Sequence, residues 1–177
     1  MKKILVAVAI VSGFGMLAHA GDGKFEVGAG LSDIIPVSSD FKDAAKSSLG
    51  MTAYGDYSIN KMFTGGLEAG YAFGHESKAN SSVDYRCTTI GLRGKYVKEL
   101  DYGFRVYGIL GVASYIWSTD PSSNLDTTKI GFNFGGGADV EVMPNWVTGV
   151  ELRYHLVKMG GVDGNSLVPT LKVGYTF

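Results

Sequence analysis

Hydrophobic and polar residues alternate with period two along most of the chain from residue 24 to residue 177. Such alternation is typical of β-strands whose two faces meet different surroundings. In the clearest run, Ile130, Phe132 and Phe134 alternate with Gly131 and Asn133. The same pattern predicts eight strands, at residues 24–32, 49–59, 64–74, 86–97, 103–116, 130–142, 147–157 and 167–177. The expected fold class is an all-β, eight-stranded antiparallel up-and-down transmembrane barrel.

The segments between these strands alternate in length. Long, polar segments at residues 35–48, 75–84, 117–128 and 158–166 alternate with tight turns at residues 60–63, 98–102 and 143–146. Transmembrane barrels have short periplasmic turns and longer extracellular loops. The pattern therefore predicts that all long loops face outward from the cell.

The alternation alone leaves open which face points inward, because a soluble lipocalin-like barrel has the same period with its apolar side chains inside. In the predicted strands the apolar face carries no Asp, Glu, Lys or Arg, whereas the other face is mostly Gly, Ala, Ser and Thr with few charges. Small residues suit the narrow interior of an eight-stranded barrel. We therefore predict that the apolar face meets lipid.

Aromatic residues are expected to form two interfacial girdles. The girdle at the short-turn end comprises Phe25, Tyr57, Tyr96, Tyr102, Phe104, Trp146 and Phe177, and the girdle at the long-loop end comprises Phe73, Trp117, Phe132 and Tyr154.

The first twenty residues have the pattern of a secretory signal peptide. Lys2 and Lys3 precede an apolar run, and the segment ends in Ala18-His19-Ala20. The sequence thus predicts a signal peptide at residues 1–20 and one barrel domain at residues 21–177. Without Lys2 and Lys3 the chain carries 14 basic and 17 acidic residues, and this balance gives no sign of a nucleic-acid partner. Cys87 is the single cysteine, which excludes an intrachain disulfide.

Charged residues on the predicted inner face are of both signs. The acidic set is Glu26, Asp56, Glu68, Asp139, Glu141 and Glu151, and the basic set is Arg93, Lys95, Arg105, Arg153 and Lys172. Because an unpaired buried ion is costly, we expect these side chains to fill the lumen as ion pairs. A narrow solute pore, in which some pairs exchange partners, is the alternative. Gly137, on the same face, is expected to tolerate serine unless close packing forbids it.

Three stretches resemble the OmpA/OmpX-like small outer-membrane β-barrel family over nearly all of residues 21–177. They are residues 131–142 with the turn 143–146, residues 149–154, and the closing segment 172–177. The resemblance implies a monomeric barrel in the outer membrane of a Gram-negative-type envelope, in contact with lipid and lipopolysaccharide. It also implies that Leu171, Val173, Tyr175 and Phe177 form the signal read by the barrel-assembly machinery.

Candidate chemistry is sparse in the chain. His75, at the start of the second long loop, and the inward His155 are the histidines outside the signal peptide. No arrangement marks either as a catalytic base, so we expect no enzyme, cofactor or metal, although a lipid A-modifying enzyme is a less favoured alternative. Residues 40–46 are expected to form a short helical turn without functional consequence. The function expected is envelope integrity or surface interaction through the loops.

Overall fold

The computed structural model of the protein describes residues 24–78, 84–120, 127–159 and 162–177. The predicted signal peptide lies outside these residues and stays a prediction. The elements are β1 (Phe25–Pro36), α1 (Ser39–Ala44), β2 (Ser48–Ser58), β3 (Phe63–Glu76), β4 (Asp84–Glu99), a 3₁₀ turn (Asp101–Gly103), β5 (Phe104–Asp120), β6 (Thr127–Met143), β7 (Trp146–Met159), β8 (Val162–Asp163) and β9 (Ser166–Thr176).

Eight antiparallel strands close into a barrel. Each of β1 to β7 pairs with the next strand along the chain, and β9 pairs with both β7 and β1. The two-residue β8 pairs with the end of β7 and takes no part in closure. The predicted eight-stranded up-and-down barrel is confirmed, and closure leaves none of these strands as an open edge. In the part of the chain that the structure describes, no helix is long and apolar enough to cross a membrane.

The strands are longer than predicted at the long-loop end. β1 continues to Pro36, β3 to Glu76 and β5 to Asp120, while β6 begins at Thr127. These extensions occupy parts of the predicted loops 35–48, 75–84 and 117–128. Polar side chains interrupt the period-two pattern there. The backbone N–H and C=O groups still form hydrogen bonds between neighbouring strands, so the strands continue past the apolar residues. The loops are therefore shorter than the sequence indicated.

The predicted assignment of faces agrees with the exposures. Leu110 is 70% exposed and Ile130 is 73% exposed, whereas inward neighbours such as Ile109 and Tyr115 are buried. Apolar side chains thus cover the outside of the closed sheet.

Two aromatic predictions need correction. Trp117 points into the barrel and is buried, because it shares the odd-numbered parity of the inward Tyr115 on β5. Phe25 is also buried, in contact with Phe177 on the outer surface. The other proposed girdle residues, such as Tyr57 and Phe132, are wholly or partly exposed.

A bulge in β3 turns His75 inward. The β3–β4 register shifts between Ala72 and His75, where Gly74 has φ 141°, a backbone conformation that glycine adopts easily. The bulge reverses the alternation, so that His75 is fully buried inside the barrel. The sequence prediction that placed His75 in a loop is wrong for this reason.

Candidate functional site

Ten charged side chains occupy the middle of the barrel, and every barrel strand contributes at least one. They are Glu26, Asp56, Glu68, Asp139 and Glu151 with Arg93, Lys95, Arg105, Arg153 and Lys172. We call them the ionic plug. Glu141, the eleventh predicted member, lies apart: it is exposed at the β6–β7 turn, where its carboxylate accepts a hydrogen bond from the backbone N–H of Asn145 at 3.2 Å. Glu141 belongs to the inward-facing alternation of β6, but it lies near the end of the strand and is therefore exposed to water.

A bidentate arginine–carboxylate contact in the plug joins β2 and β4. Arg93 Nε and Nη2 donate to the two carboxylate oxygens of Asp56 at 2.7 and 2.6 Å. Lys95 Nζ lies 2.7 Å from the same carboxylate. All three side chains are buried, and the bidentate geometry is the stronger form of the arginine–carboxylate interaction.

A second group of contacts lies nearer the long-loop end. Arg153 Nη1 donates to both carboxylate oxygens of Glu68 at 2.7 Å. Its Nε lies 2.8 Å from Glu151 Oε1, close enough for an ion pair but without hydrogen-bond alignment. Arg153 Nη1 also lies 3.3 Å from the amide oxygen of Asn133. This arginine therefore links β7 to β3 and β6 through the interior.

A third group lies toward the short-turn end. Arg105 donates to Asp139 at 2.6 Å and to Glu26 at 2.9 Å. Lys172 Nζ donates to the second oxygen of Asp139 at 2.8 Å. Each carboxylate oxygen of Asp139 thus has its own cation.

Two tyrosines contact the plug and were not among the predicted site residues. The Tyr54 hydroxyl donates to Glu26 and the Tyr107 hydroxyl to Glu151, each at 3.0 Å. The Arg93 guanidinium lies 4.1 Å from the centre of the Tyr54 ring, and Lys172 Nζ lies 4.6 Å from that of Tyr107. These rings supply cation–π contacts in a desolvated site. Their inward parity was visible in the sequence, but their partners lie on other strands.

The plug balances its charges, with five carboxylates facing five cations. A buried ion loses its hydration and needs both an opposite charge and hydrogen bonds. Removing Glu141 from the predicted six acids produces this balance. The arrangement fills the middle of the lumen with fixed, mutually neutralised groups.

Inward glycines provide room for these large side chains. A Cβ on Gly137 would overlap the Tyr107 hydroxyl and approach the Val150 carbonyl oxygen within 2.5 Å. A Cβ on Gly66 would overlap the carboxylate of Asp56. The expectation that Gly137 tolerates serine is therefore not supported, because close packing forbids the extra atoms.

An apolar cap closes the barrel above the plug, and we use this name for Phe41, Ala45, Ala72, Cys87, Ala113, Tyr115, Trp117 and Val157. Phe41 projects from α1, and its ring makes edge contacts with Trp117 at 5.6 Å and with His75 at 5.2 Å. The short helical turn predicted at residues 40–46 is present, but it carries the residue that covers the lumen. The sequence did not predict this packing role of Phe41.

Hydrogen bonds hold α1 across the outer end. The Ser38 hydroxyl donates to the Asp163 carbonyl, and Lys78 Nζ donates to the Lys42 carbonyl at 2.6 Å. Lys46 Nζ forms an ion pair with Glu76 at 2.9 Å. The Lys46 carbonyl oxygen accepts a hydrogen bond from His75 Nδ1. The cap is thus anchored to β3 and to the segment before β9.

The histidines show no catalytic arrangement in the described chain. His155 Nδ1 lies 3.0 Å from the Tyr115 hydroxyl, and His75 Nδ1 lies 2.9 Å from the Lys46 carbonyl oxygen. Among the described residues, no group of three or more His, Cys, Asp or Glu side chains could hold a metal ion. Both histidines pack beside the cap.

The residues predicted as an assembly signal lie on β9 and just after it. Leu171, Val173 and Phe177 are exposed on the outer face. Tyr175 contacts Phe177 at a ring separation of 5.0 Å. Their recognition by the assembly machinery stays a prediction.

Comparisons with known proteins agree with this architecture. A family model described as the outer membrane protein beta-barrel domain matches residues 6–177. The chain belongs to this outer-membrane β-barrel family. Membership places the barrel in an outer membrane, with its exposed apolar face in contact with lipid. No curated protein sequence matches the chain.

Solved structures of other outer-membrane barrels share the fold. Neisserial surface protein A (NspA) is 18% identical, with 88% of this chain and 96% of that chain covered and a TM-score of 0.64. The N-terminal β-barrel domain of Pseudomonas aeruginosa OprF is 14% identical over 87% and 97%, with a TM-score of 0.64. Ail, the attachment invasion locus protein of Yersinia pestis, solved with the heparin analogue sucrose octasulfate, is 17% identical over 88% and 97%, with a TM-score of 0.54. At these identities the similarity extends to the barrel fold alone.

Proposed function

We propose that this outer-membrane barrel is non-conducting and that it serves envelope integrity or surface contact through its outer end. One observation carries the proposal: the lumen is closed twice, by the ionic plug at mid-height and by the apolar cap above it. A solute path would have to break buried ion pairs and displace Phe41 from Trp117. Both steps are costly in a desolvated interior.

The outer end offers a surface of mixed charge for contact. Asp40, Lys42, Asp43 and Lys46 are exposed on and beside α1, and Lys78 lies next to them. Binding residues are often carried on loops that a rigid scaffold holds in place. Because Ail was solved with a heparin analogue, heparin is a reasonable first probe of this surface.

Single-channel recording in planar bilayers tests the closed lumen. We expect the purified protein to show no steady conductance steps under an applied voltage. As a comparison, a variant with residues 39–45 replaced by Gly and Ser removes Phe41 and Ala45 from the cap but keeps the plug, and it should also stay closed. Steady steps from the parent protein would favour the narrow-pore alternative.

Adhesion of cells that display the protein tests the surface role. Replacing Lys42, Lys46 and Lys78 by alanine should reduce attachment to immobilised heparin if the outer end binds anionic polysaccharide. Lys61, which is exposed at the β2–β3 turn, provides the matched control substitution. Unchanged attachment together with weakened resistance to detergent or bile salts would instead favour the structural role.

Assembly from the predicted signals is part of the same proposal. We expect export to require residues 1–20 and insertion to depend on Phe177, whose side chain is exposed. Deleting Phe177 should lower the amount of folded barrel in outer-membrane fractions. Tyr102→Ala, a change at an exposed aromatic of the β4–β5 turn, should leave that amount unchanged.

A further inference from the structure

A cavity of about 50 Å³ lies between the ionic plug and the apolar cap. Glu68 and Arg153 border it on the plug side, and His75 and Trp117 border it on the cap side. Its wall includes inward residues of the first and last barrel strands, Ile34 of β1 and Val168 of β9. The cavity therefore reaches the seam at which the barrel closes.

The β1–β9 seam is interrupted beside this cavity. Paired residues run up to Ser32 and Thr170, and pairing resumes at Ile35 and Leu167 in the same register. Asp33 and Ile34 lie opposite Pro169 and Val168, and the assigned pairing omits these two positions.

Proline explains the interruption. The Thr176 N–H donates to the Asn145 carbonyl beside β7 at 2.8 Å, and the Phe177 N–H donates to the Phe25 carbonyl of β1 at 2.7 Å. Even-numbered residues of β9 therefore direct their backbone groups toward β7. Odd-numbered residues, Pro169 among them, direct theirs toward β1. Pro169 has no N–H to donate, and a proline inside a ladder removes one of its hydrogen bonds.

A groove on the outer surface meets the same interruption from the lipid side. Its volume is about 660 Å³, and Asp33 and Pro169 line it together with exposed apolar residues of the lipid-facing belt. Leu31, Leu49, Phe73, Leu152 and Leu171 form most of that apolar lining. Ser32 and Gly50 border both the groove and the interior cavity. One strand of backbone thus separates the two spaces at the point where pairing is missing.

Among the described residues, two other approaches to the cavity are blocked. Arg153 and Glu68 block it from the plug side, and Phe41 packed on Trp117 blocks it from outside. Below the interruption the seam is held by a 2.8 Å hydrogen bond between the hydroxyl groups of Ser32 and Thr170. The wall between Ser32 and Ile35 therefore lacks one backbone hydrogen bond that a regular ladder would have.

We propose that this part of the β1–β9 seam is a lateral opening through which the end of a lipid acyl chain enters the cavity from the membrane. The groove is continuous with the lipid-facing surface, so an acyl chain is the molecule already in contact with it. A cavity of about 50 Å³ is roughly a third of the 150 Å³ that holds a benzene molecule in an apolar protein interior. It therefore accommodates the terminal carbons of a chain and excludes a ring or a headgroup.

Photocrosslinking with a lipid probe tests the proposal. The full chain is reconstituted in phosphatidylcholine vesicles that contain phosphatidylcholine with a diazirine on the terminal carbon of one acyl chain. After illumination and proteolysis, mass spectrometry identifies the labelled residues. We expect label on the inward Ile34 and Val168 as well as on the outward Leu31 and Leu171. Label confined to outward residues in the parent protein would overturn the proposal.

A reversible lock on the seam provides the control. Ser32→Cys with Thr170→Cys, in a Cys87→Ser background, keeps Pro169 and places two thiols at facing positions of the antiparallel pair beside the interruption, a spacing that disulfides bridge. Oxidation should reduce the label on Ile34 and Val168 at least fivefold and leave Leu31 and Leu171 unchanged. Reduction should restore it. Equal inward labelling in the oxidised and reduced forms, with the disulfide verified by mass, refutes a lateral path.

A second variant keeps the proposal testable if the disulfide does not form. Pro169→Val restores the missing N–H, so the ladder can close against Asp33. We expect inward labelling to fall at least threefold while heat-dependent mobility on SDS gels shows a folded barrel. Inward labelling at the parent level in this folded variant counts against the seam as the path.

Discussion

Arg153 holds the part of the ionic plug nearest the cavity, and its removal should be severely destabilising. Its side chain is 2% exposed, and the side chains of its partners Glu68 and Glu151 are 5% and 2% exposed. Arg153→Met keeps most of the volume but removes the positive charge. Glu68 then retains a single cation, Arg93 Nη1 at 3.6 Å, while Glu151 keeps the Tyr107 hydroxyl.

The expected loss follows from this uncompensated negative charge. Removing one partner of a buried ion pair costs about 3–5 kcal/mol. Because Arg93 remains near Glu68, we expect about 3 kcal/mol, which lowers the equilibrium constant for folding more than 100-fold. Urea unfolding in lipid vesicles, followed by tryptophan fluorescence and by gel mobility, measures this difference.

Two further variants separate charge burial from general damage. Lys46→Met breaks the exposed Lys46–Glu76 pair, whose side chains are 55% and 42% exposed, and should cost about 0–1 kcal/mol. Arg153→Met combined with Glu68→Gln removes the orphaned charge and should recover part of the loss. If Arg153→Met costs no more than Lys46→Met, the buried charge pairs of the plug do not stabilise the barrel.

Three other substitutions address packing, the cap and the lipid face. Gly137→Ala should destabilise the barrel by about 1–3 kcal/mol through overpacking against Tyr107. Gly108→Ala, with no atom within 4 Å of the new Cβ, should leave the stability unchanged. Equal urea midpoints for the two variants would contradict this. Phe41→Ala should speed labelling of the buried Cys87 by a water-soluble maleimide. Phe63→Ala, a change at an exposed residue of the opposite end, is the control. Equal labelling rates in the two variants would show that Phe41 does not shield the thiol. Leu152→Arg on the lipid face should destabilise the barrel by about 2–4 kcal/mol near mid-membrane, and Met143→Arg near the interface by about 0–1 kcal/mol. Equal folding yields of the two variants in vesicles would argue against lipid contact at Leu152.

The sequence was sufficient to predict the barrel because its main determinant is local. Period-two alternation assigns a face to each residue without knowledge of its partners, and the exposures of Leu110 and Ile109 follow that rule. The same rule breaks at Gly74, where one extra residue in β3 turned His75 from the expected loop position into the interior. A bulge depends on the neighbouring strand, so alternation in one strand does not reveal it.

The sequence predicted which charged residues point into the barrel, but not which of them pair with each other. Inward parity identified Asp56 and Arg93, but their bidentate contact depends on the stagger of β2, β3 and β4. Glu141 shares that parity and still misses the plug because depth along the barrel axis, rather than parity, decides burial. Phe41 was missed because a single apolar residue in a polar loop carries no period at all.

The ionic plug and the apolar cap close the lumen in different ways, and the layer between them contains unpaired polar atoms. The plug satisfies its charges by pairing and the cap excludes water by apolar packing, but polar atoms near their boundary remain without partners. His75 Nε2, Trp117 Nε1 and His155 Nε2 are buried with no hydrogen bond to the described protein atoms, and all three residues border the cavity. An unpaired buried polar group costs about 1–3 kcal/mol, so this boundary is less favourable than the layer of Asp56 and Asp139, whose carboxylate oxygens all have hydrogen-bond donors. Because the cap rests on that layer and on the anchors of α1, the outer end should open before the plug does. Hydrogen exchange that is faster for the backbone of α1 than for the plug-bearing segments of β4 and β7 is the corresponding expectation.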